Sequence, residues 1–148
     1  MSYHIPKFTT MLVREGATTT EERYATVPAQ AAEIACAIIG PDADRECTVV
    51  LFLNTRHRVI GSQMISVGTL NASLVHPRET FKGAILAGAA AIVLAHNHPS
   101  GDATPSNDDV ALTKRLRTAG EILGIPVLDH VVIGDGTYVS LRGCGLID

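Results

Sequence analysis

The chain has 148 residues, of which 46% are hydrophobic and 18% charged, and its formal net charge is -3 at pH 7. This length suits a single domain that buries roughly two thirds of the surface exposed by its unfolded form, and the composition excludes a disordered or fibrous protein. The slightly acidic balance provides no general positive field, so nucleic acid is not favoured as a partner.

The cysteines and the first residues of the chain bear on its compartment. Cys36, Cys47 and Cys144 are odd in number, widely spaced and form no C-x-x-C pair, which predicts buried thiols in a reducing compartment. The start, MSYHIPKFTT, lacks a basic stretch followed by an apolar one, and no apolar run reaches the length of about 18 residues that a membrane span needs. We therefore expect a cytoplasmic protein without membrane association.

The chain divides near residue 28. Residues 1–27 are mixed and polar, and the only elements predicted there are short strands at 8–13 and 22–27. The remaining residues, 28–148, carry clear helical and strand patterns. We therefore expect an N-terminal segment of undefined structure followed by one domain.

The first half of the domain predicts a helix and a hairpin. From Pro28, the sequence PAQAAEIACAIIG repeats alanine and isoleucine at helical spacing and stops at Gly40, which is typical of a helix. The runs CTVVLFLN at 47–54 and VIGSQMISVG at 59–68 are rich in β-branched residues. Two such runs with a short polar connection predict a β-hairpin.

A second helix is predicted from Pro77, where PRETFKGAILAGAAA has helical spacing despite Gly83 and Gly88. Each glycine costs a helix about 1 kcal/mol relative to alanine, so their presence indicates a helix that lies close against a sheet. A dimer surface is the alternative role for this helix, whose small residues leave an apolar face. AIVLA at 91–95 then predicts a short buried strand.

A third helix and a second hairpin complete the chain. The helix is predicted from Ser106 to Gly124, with its apolar residues at Val110, Leu112, Leu116, Ile122 and Leu123. Its basic cluster is expected to be a solvated face, with a small docking patch as the alternative: Lys114, Arg115 and Arg117. VLDHVVIG and TYVSL predict two strands around the turn at Asp135-Gly136. Strands and helices without strict alternation predict one α/β or α+β domain with a mixed sheet flanked by helices.

Two histidines follow the buried strand, at the start of the segment HNHPSGDATPSNDD at 96–109. Side chains two residues apart on extended backbone share one face, so His96 and His98 can reach one ion while Asn97 points the other way. Neutral imidazoles suit zinc, which in catalytic sites commonly has a third protein ligand and a water. The spacing therefore favours a metal site over a polar turn.

Aspartate and glutamate residues are the candidates for the third ligand and the general base of such a site. Asp109 is the best candidate for the third ligand, because Ser106 is a natural N-cap and Asp109 then falls in the first turn of a helix; a capping box without metal is the alternative. A hydrolytic site also needs a base that is not a ligand. Glu33 and Glu79 lie in predicted helices, whereas Glu46 begins the strongest β-run. Glu46 could face the same ion, or it could be a solvated residue where a strand begins.

Several other chemistries lack their motifs. The chain has no G-x-S-x-G elbow, no G-x-x-x-x-G-K-[ST] phosphate loop and no G-x-G-x-x-G fingerprint. It also lacks the H-x-E and P-C-x-x-C pattern of zinc base deaminases. A zinc-dependent hydrolase is therefore the enzyme class that the motifs favour.

The assembled pattern, Glu46 followed by His96-x-His98-x7-Ser106-x2-Asp109, resembles the JAMM motif of the MPN/JAB metalloprotease superfamily. Four shorter stretches resemble its RadC-like branch: VHPRE at 75–79, HNHPSG at 96–101, PS at 105–106 and LDH at 128–130. The resemblance covers about residues 28–145. It implies a cytidine-deaminase-like α/β fold in which a curved sheet is flanked by helices.

The resemblance also implies the chemistry. His96, His98 and Asp109 would hold one Zn2+ with a water as fourth ligand, Glu46 would take the water's proton and pass it to the departing amine, and Ser106 would steady the oxyanion. The expected function is the hydrolysis of peptide or isopeptide bonds in a peptide or protein substrate. The alternative is a non-catalytic or DNA-repair-associated binding module. RadC-like proteins usually carry a helix-hairpin-helix-like region before this domain, for which 27 leading residues are too few, and this weakens the expectation of DNA association.

Overall fold

The β-branched runs form strands and the alanine-rich and amphipathic runs form helices in the computed structural model, which describes residues 1–68 and 75–148. Within those residues the elements, in chain order, are α1 (Pro28–Ile39), β1 (Cys47–Leu53), β2 (Val59–Val67), α2 (Pro77–Leu86), β3 (Ala91–Asn97), α3 (Asn107–Leu123), β4 (Val127–Ile133) and β5 (Tyr138–Ser140). No helix in this described part of the chain is long and apolar enough to cross a membrane.

The strands build one mixed sheet in the order β2-β1-β3-β4-β5. β1 pairs antiparallel with both β2 and β3, β3 pairs parallel with β4, and β4 pairs antiparallel with β5. The parallel pair needs a crossover, which α3 provides. Every residue of β1 and β3 is buried, as expected of central strands covered on both faces.

Helices cover the two faces of the sheet. The alternating side chains of the strands form two large buried clusters on the two faces of the sheet, and α1 packs against one of them. That cluster includes Val49, Leu51, Val93, Ala95 and Val131. The other, under α2 and α3, includes Val50, Phe52, Phe81, Leu94 and Leu116. A third, smaller cluster joins Val132, Leu141 and Ile147. This arrangement confirms the prediction of a single α/β domain with a mixed sheet flanked by helices.

Close packing explains the glycine inside α2. A Cβ atom at Gly83 would clash with Gln63 Oε1 on β2 and would lie 2.8 Å from Phe52 Cζ on β1. The small residue thus lets α2 lie directly on the sheet, as the sequence predicted. The helix ends at Leu86, earlier than the predicted run to residue 91, because Gly88 adopts a left-handed conformation with φ 66° and the next strand begins at Ala91.

Two strand predictions in the N-terminal segment are wrong. Residues 1–20 contain neither helix nor strand, so the strand predicted at 8–13 is absent, and the one predicted at 22–27 is reduced to a single bridge between Tyr24 and Arg58. β propensity produces a strand only where a partner and a buried face exist, and residues 1–19 are exposed.

Two burial predictions also need correction. Cys36 and Cys144 are exposed, and of the three thiols only Cys47 is buried. In α3, Ile122 and Leu123 are 82% and 46% exposed because they lie in the last turn, beyond the part of the helix that packs against the sheet. The buried face instead uses small residues, Thr113 and Gly120, together with larger ones.

We predict that Gly83→Ala lowers the free energy of unfolding by about 1–3 kcal/mol, because the added methyl group must displace Gln63 and Phe52. Helix propensity alone predicts the opposite sign, a gain of about 1 kcal/mol. Gly16→Ala is the matched control, since a Cβ at Gly16 meets nothing within 4 Å. Urea unfolding of the three proteins measures the difference, and a Gly83→Ala protein at least as stable as the unaltered one would contradict the packing account.

Candidate metal centre

The end of β3 carries the two histidines into the interior of the domain. His96 is fully buried, between Thr48 of β1 and Val132 of β4 in the strand register, and His98 follows the strand. Their side chains meet on one face, with His96 Nε2 and His98 Nε2 3.0 Å apart. The period of two along extended backbone therefore has the consequence that the sequence predicted.

The first turn of α3 brings a carboxylate to the same point. Asp109 Oδ1 lies 3.4 Å from His96 Nε2, and Asp109 Oδ2 lies 3.4 Å from His98 Nε2. Ligand atoms of all three residues lie within 4.8 Å of one another. Zinc in a tetrahedral site with bonds of 2.0–2.1 Å separates its ligand atoms by about 3.3 Å. The donor set and its spacing therefore fit a zinc ion, and these residues could hold one.

Capping and ligand geometry coexist at Asp109. Ser106 Oγ accepts the backbone N–H of Asp109 at 3.1 Å, and Asp109 Oδ2 accepts the backbone N–H of Ser106 at 2.8 Å. This is the capping box that the sequence left as the alternative to a metal ligand. The capping box itself holds the carboxylate against the two histidines, so capping does not exclude Asp109 as a candidate ligand.

The charges of this cluster shift the pKa of Asp109. Burial alone would raise that pKa, because Asp109 is only 2% exposed. A hydrogen bond from His96 and the positive charge of its protonated ring outweigh burial and, together with the amide of Ser106, hold the pKa of Asp109 well below its ordinary range. The carboxyl is therefore ionised, which is the form that binds a metal ion. A metal ion would displace the proton on Nε2 of His96, so the ring would bind it in the neutral form.

Glu46 lies beside the cluster, whereas the other two glutamates considered do not. Glu46 Oε1 is 3.9 Å from His98 Nε2, and the side chain is 28% exposed. Glu79 is exposed and pairs with Lys82 at 3.2 Å, while Glu33 is exposed on α1. Only Glu46 of these three thus combines proximity to the histidines with partial access to solvent.

Asn97 fastens the backbone on both sides of Glu46, a role that the sequence did not reveal. Its Oδ1 accepts the N–H of Cys47 at 2.7 Å, and its Nδ2 donates to the carbonyl of Arg45 at 3.0 Å. Both partners of Asn97 are backbone groups of the segment that precedes and begins β1. Asn97, between the two histidines, therefore holds the backbone on either side of Glu46 from the neighbouring strand.

His130 and Thr113 also escaped prediction. His130 Nε2 lies 2.7 Å from His96 Nδ1, and His130 Nδ1 lies 2.6 Å from Thr113 Oγ1, which in turn lies 2.7 Å from the carbonyl oxygen of Asp109. His130 and Thr113 are both fully buried. Burial is the main reason why the pKa of His130 lies well below its ordinary value, and the charge of His96 lowers it further.

The signal for His130 was its place in LDH at 128–130, but its contact with His96 depends on strand order. β4 lies beside β3, with His130 opposite Leu94 and on the face that also carries His96. The preceding residue of the motif, Asp129, accepts hydrogen bonds from Ser140 and from the backbone of Arg142, so it ties β4 to the residues at and after β5. Within this short motif, His130 therefore contacts the histidine cluster and Asp129 connects β4 to the end of the sheet.

We predict that Asn97→Ala lowers the free energy of unfolding by about 1–3 kcal/mol, since it leaves the buried N–H of Cys47 without its acceptor. Zinc affinity should change little, because Asn97 is not one of the three side chains that converge on the candidate metal position. Asn97→Asp keeps the acceptor but loses the donor to Arg45, and it should fall between the two. Denaturant unfolding and zinc titration check this; an Asn97→Ala protein as stable as the unaltered chain would refute the role.

Comparison with known proteins places these residues in a wider context. A family model described as "RadC-like JAB domain" matches residues 25–146. A UPF0758 protein of Desulforamulus reducens is 58% identical over 106 residues, which cover 72% of this chain and 47% of that protein. A UPF0758 protein of Methanococcoides burtonii is 52% identical over 103 residues, 70% of this chain and 45% of that one. The chain thus spans about half the length of the curated relatives it matches.

Proposed function

Because the chain belongs to the RadC-like JAB domain family, we propose that it is a zinc-dependent hydrolase of peptide or isopeptide bonds. The observation that carries this proposal is the convergence of His96, His98 and Asp109, whose ligand atoms have the separations of a tetrahedral zinc site. Glu46 beside them supplies the further carboxylate that hydrolysis requires.

Each residue has a task that follows from its position. Zinc, when bound, acts as a Lewis acid that lowers the pKa of water and polarises a carbonyl group. His96 and His98 would contribute neutral nitrogen ligands to such an ion and Asp109 a negatively charged oxygen. Glu46 is close enough to His98 to take a proton beside the metal position, and its partial exposure lets it release the proton to a departing amine.

Ser106 is proposed to stabilise the oxyanion that develops on the scissile carbonyl. Its hydroxyl already accepts the N–H of Asp109, but a hydroxyl that accepts one hydrogen bond can still donate another. The residue is exposed and directly precedes the helix that carries Asp109. Removal of a single oxyanion donor costs other hydrolases about 10²–10³ in kcat.

The proposal predicts different losses at the ligand and at the base. His98→Ala should lose both zinc and activity, because a metal ligand is gone, whereas Glu46→Gln should keep about one zinc ion per chain and lose about 10²–10⁴ in kcat. Glu33→Gln, an exposed glutamate on α1, is the matched control and should keep both. Metal analysis and a panel of peptide and isopeptide substrates measure the two quantities.

The outcomes separate the enzyme from its rival. An unaltered protein that takes up no zinc on reconstitution would contradict the metal centre. A protein that binds zinc but cleaves no substrate of the panel would favour the binding-module alternative, and titration with duplex and single-stranded DNA at two salt concentrations would then test a nucleic-acid role.

A further inference from the structure

We propose that His130 and Thr113 are positioning residues that hold His96 in the tautomer with its proton on Nδ1, so that the lone pair on Nε2 faces the metal position. This rests on the proposed function in that it assigns the ligand atom of His96. The direction of the hydrogen bonds, however, follows from groups of this chain alone.

The direction is set at the backbone of α3. The carbonyl oxygen of Asp109 can only accept, so the hydroxyl of Thr113, 2.7 Å away, must donate its one proton there. Toward His130 Nδ1, at 2.6 Å, the same oxygen can then only accept. His130 therefore carries a proton on Nδ1.

The next link follows from the burial of His130. Its ring is fully buried, and its two ring nitrogens contact His96 and Thr113. A second proton would therefore place a charge in the interior with no carboxylate bonded to it among residues 1–68 and 75–148. The neutral ring with its proton on Nδ1 has a lone pair on Nε2. That lone pair accepts the proton of His96 Nδ1 at 2.7 Å, which leaves Nε2 of His96 available to a metal ion.

A single hydrogen bond assigns the same tautomer to His98. Its Nδ1 lies 2.8 Å from the carbonyl oxygen of Asp102, which can only accept, so this ring also carries its proton on Nδ1 and presents Nε2. Backbone carbonyls commonly orient histidine ligands in this way. His96 Nδ1 meets His130 and not a carbonyl oxygen. The hydrogen bonds of His130 and Thr113 connect it to the carbonyl of Asp109, which sets their direction.

Variants at Thr113 test this relay, the chain of hydrogen bonds from the carbonyl of Asp109 through Thr113 and His130 to His96. Thr113→Val removes the acceptor for His130 and should weaken zinc binding by about 10–100-fold, whereas Thr113→Ser keeps the hydroxyl and should stay within about threefold of the unaltered protein. Thr118→Val is the matched control, since Thr118 makes the same bond to the carbonyl four residues back but is exposed and contacts no histidine. Competition with a chelator gives the affinities.

Nitrogen-15 NMR of the histidine rings supplies a readout that packing alone would not move. In the unaltered protein, with or without zinc, His130 should carry its proton on Nδ1 and a lone pair on Nε2. A proton on Nε2 of His130, or equal zinc affinities of the Thr113→Val and Thr118→Val proteins, would overturn the relay. A failure of zinc uptake or of cleavage would instead bear on the proposed function, because the tautomer of His130 is read without zinc.

Discussion

The reciprocal capping interaction between Ser106 and Asp109 is the constraint on which the candidate site depends. A helix must satisfy its first N–H groups, and here the two residues do so for each other. The same geometry holds the carboxylate of Asp109 beside the Nε2 atoms of His96 and His98, at the end of β3. The candidate third ligand is thus placed by an interaction that also stabilises the helix, so its orientation needs no separate interaction.

Strand order supplies the rest of the site. β3 lies between β1 and β4, so the end of one central strand meets Glu46 from one neighbour and His130 from the other. Asn97 holds the chain around Glu46, and Thr113 connects α3 to His130. The candidate ligands and the groups that orient them therefore lie within or directly beside three adjacent strands and one helix, and such rigid elements suit a site that depends on orientation.

The sequence predicted the parts of the site that depend on local periodicity. His96 and His98 followed from the two-residue period of a strand, and the position of Asp109 followed from the capping pattern. Glu46 was a candidate from its place before the strongest β-run, but its choice rested mainly on the family resemblance, because its approach depends on β1 lying beside β3. The roles of Asn97 and His130 were missed for the same reason, because their contacts depend on which strands lie beside β3. The strands predicted at 8–13 and 22–27 failed for a related reason, since propensity cannot supply a partner strand.

The central claim is that His96, His98 and Asp109 bind zinc together. Anomalous diffraction at the zinc absorption edge, from crystals of the zinc-loaded protein, tests it most directly. The account predicts one peak about 2.0–2.2 Å from Nε2 of each histidine and from a carboxylate oxygen of Asp109. A peak elsewhere, or one bonded to Nδ1 of His96, would contradict it.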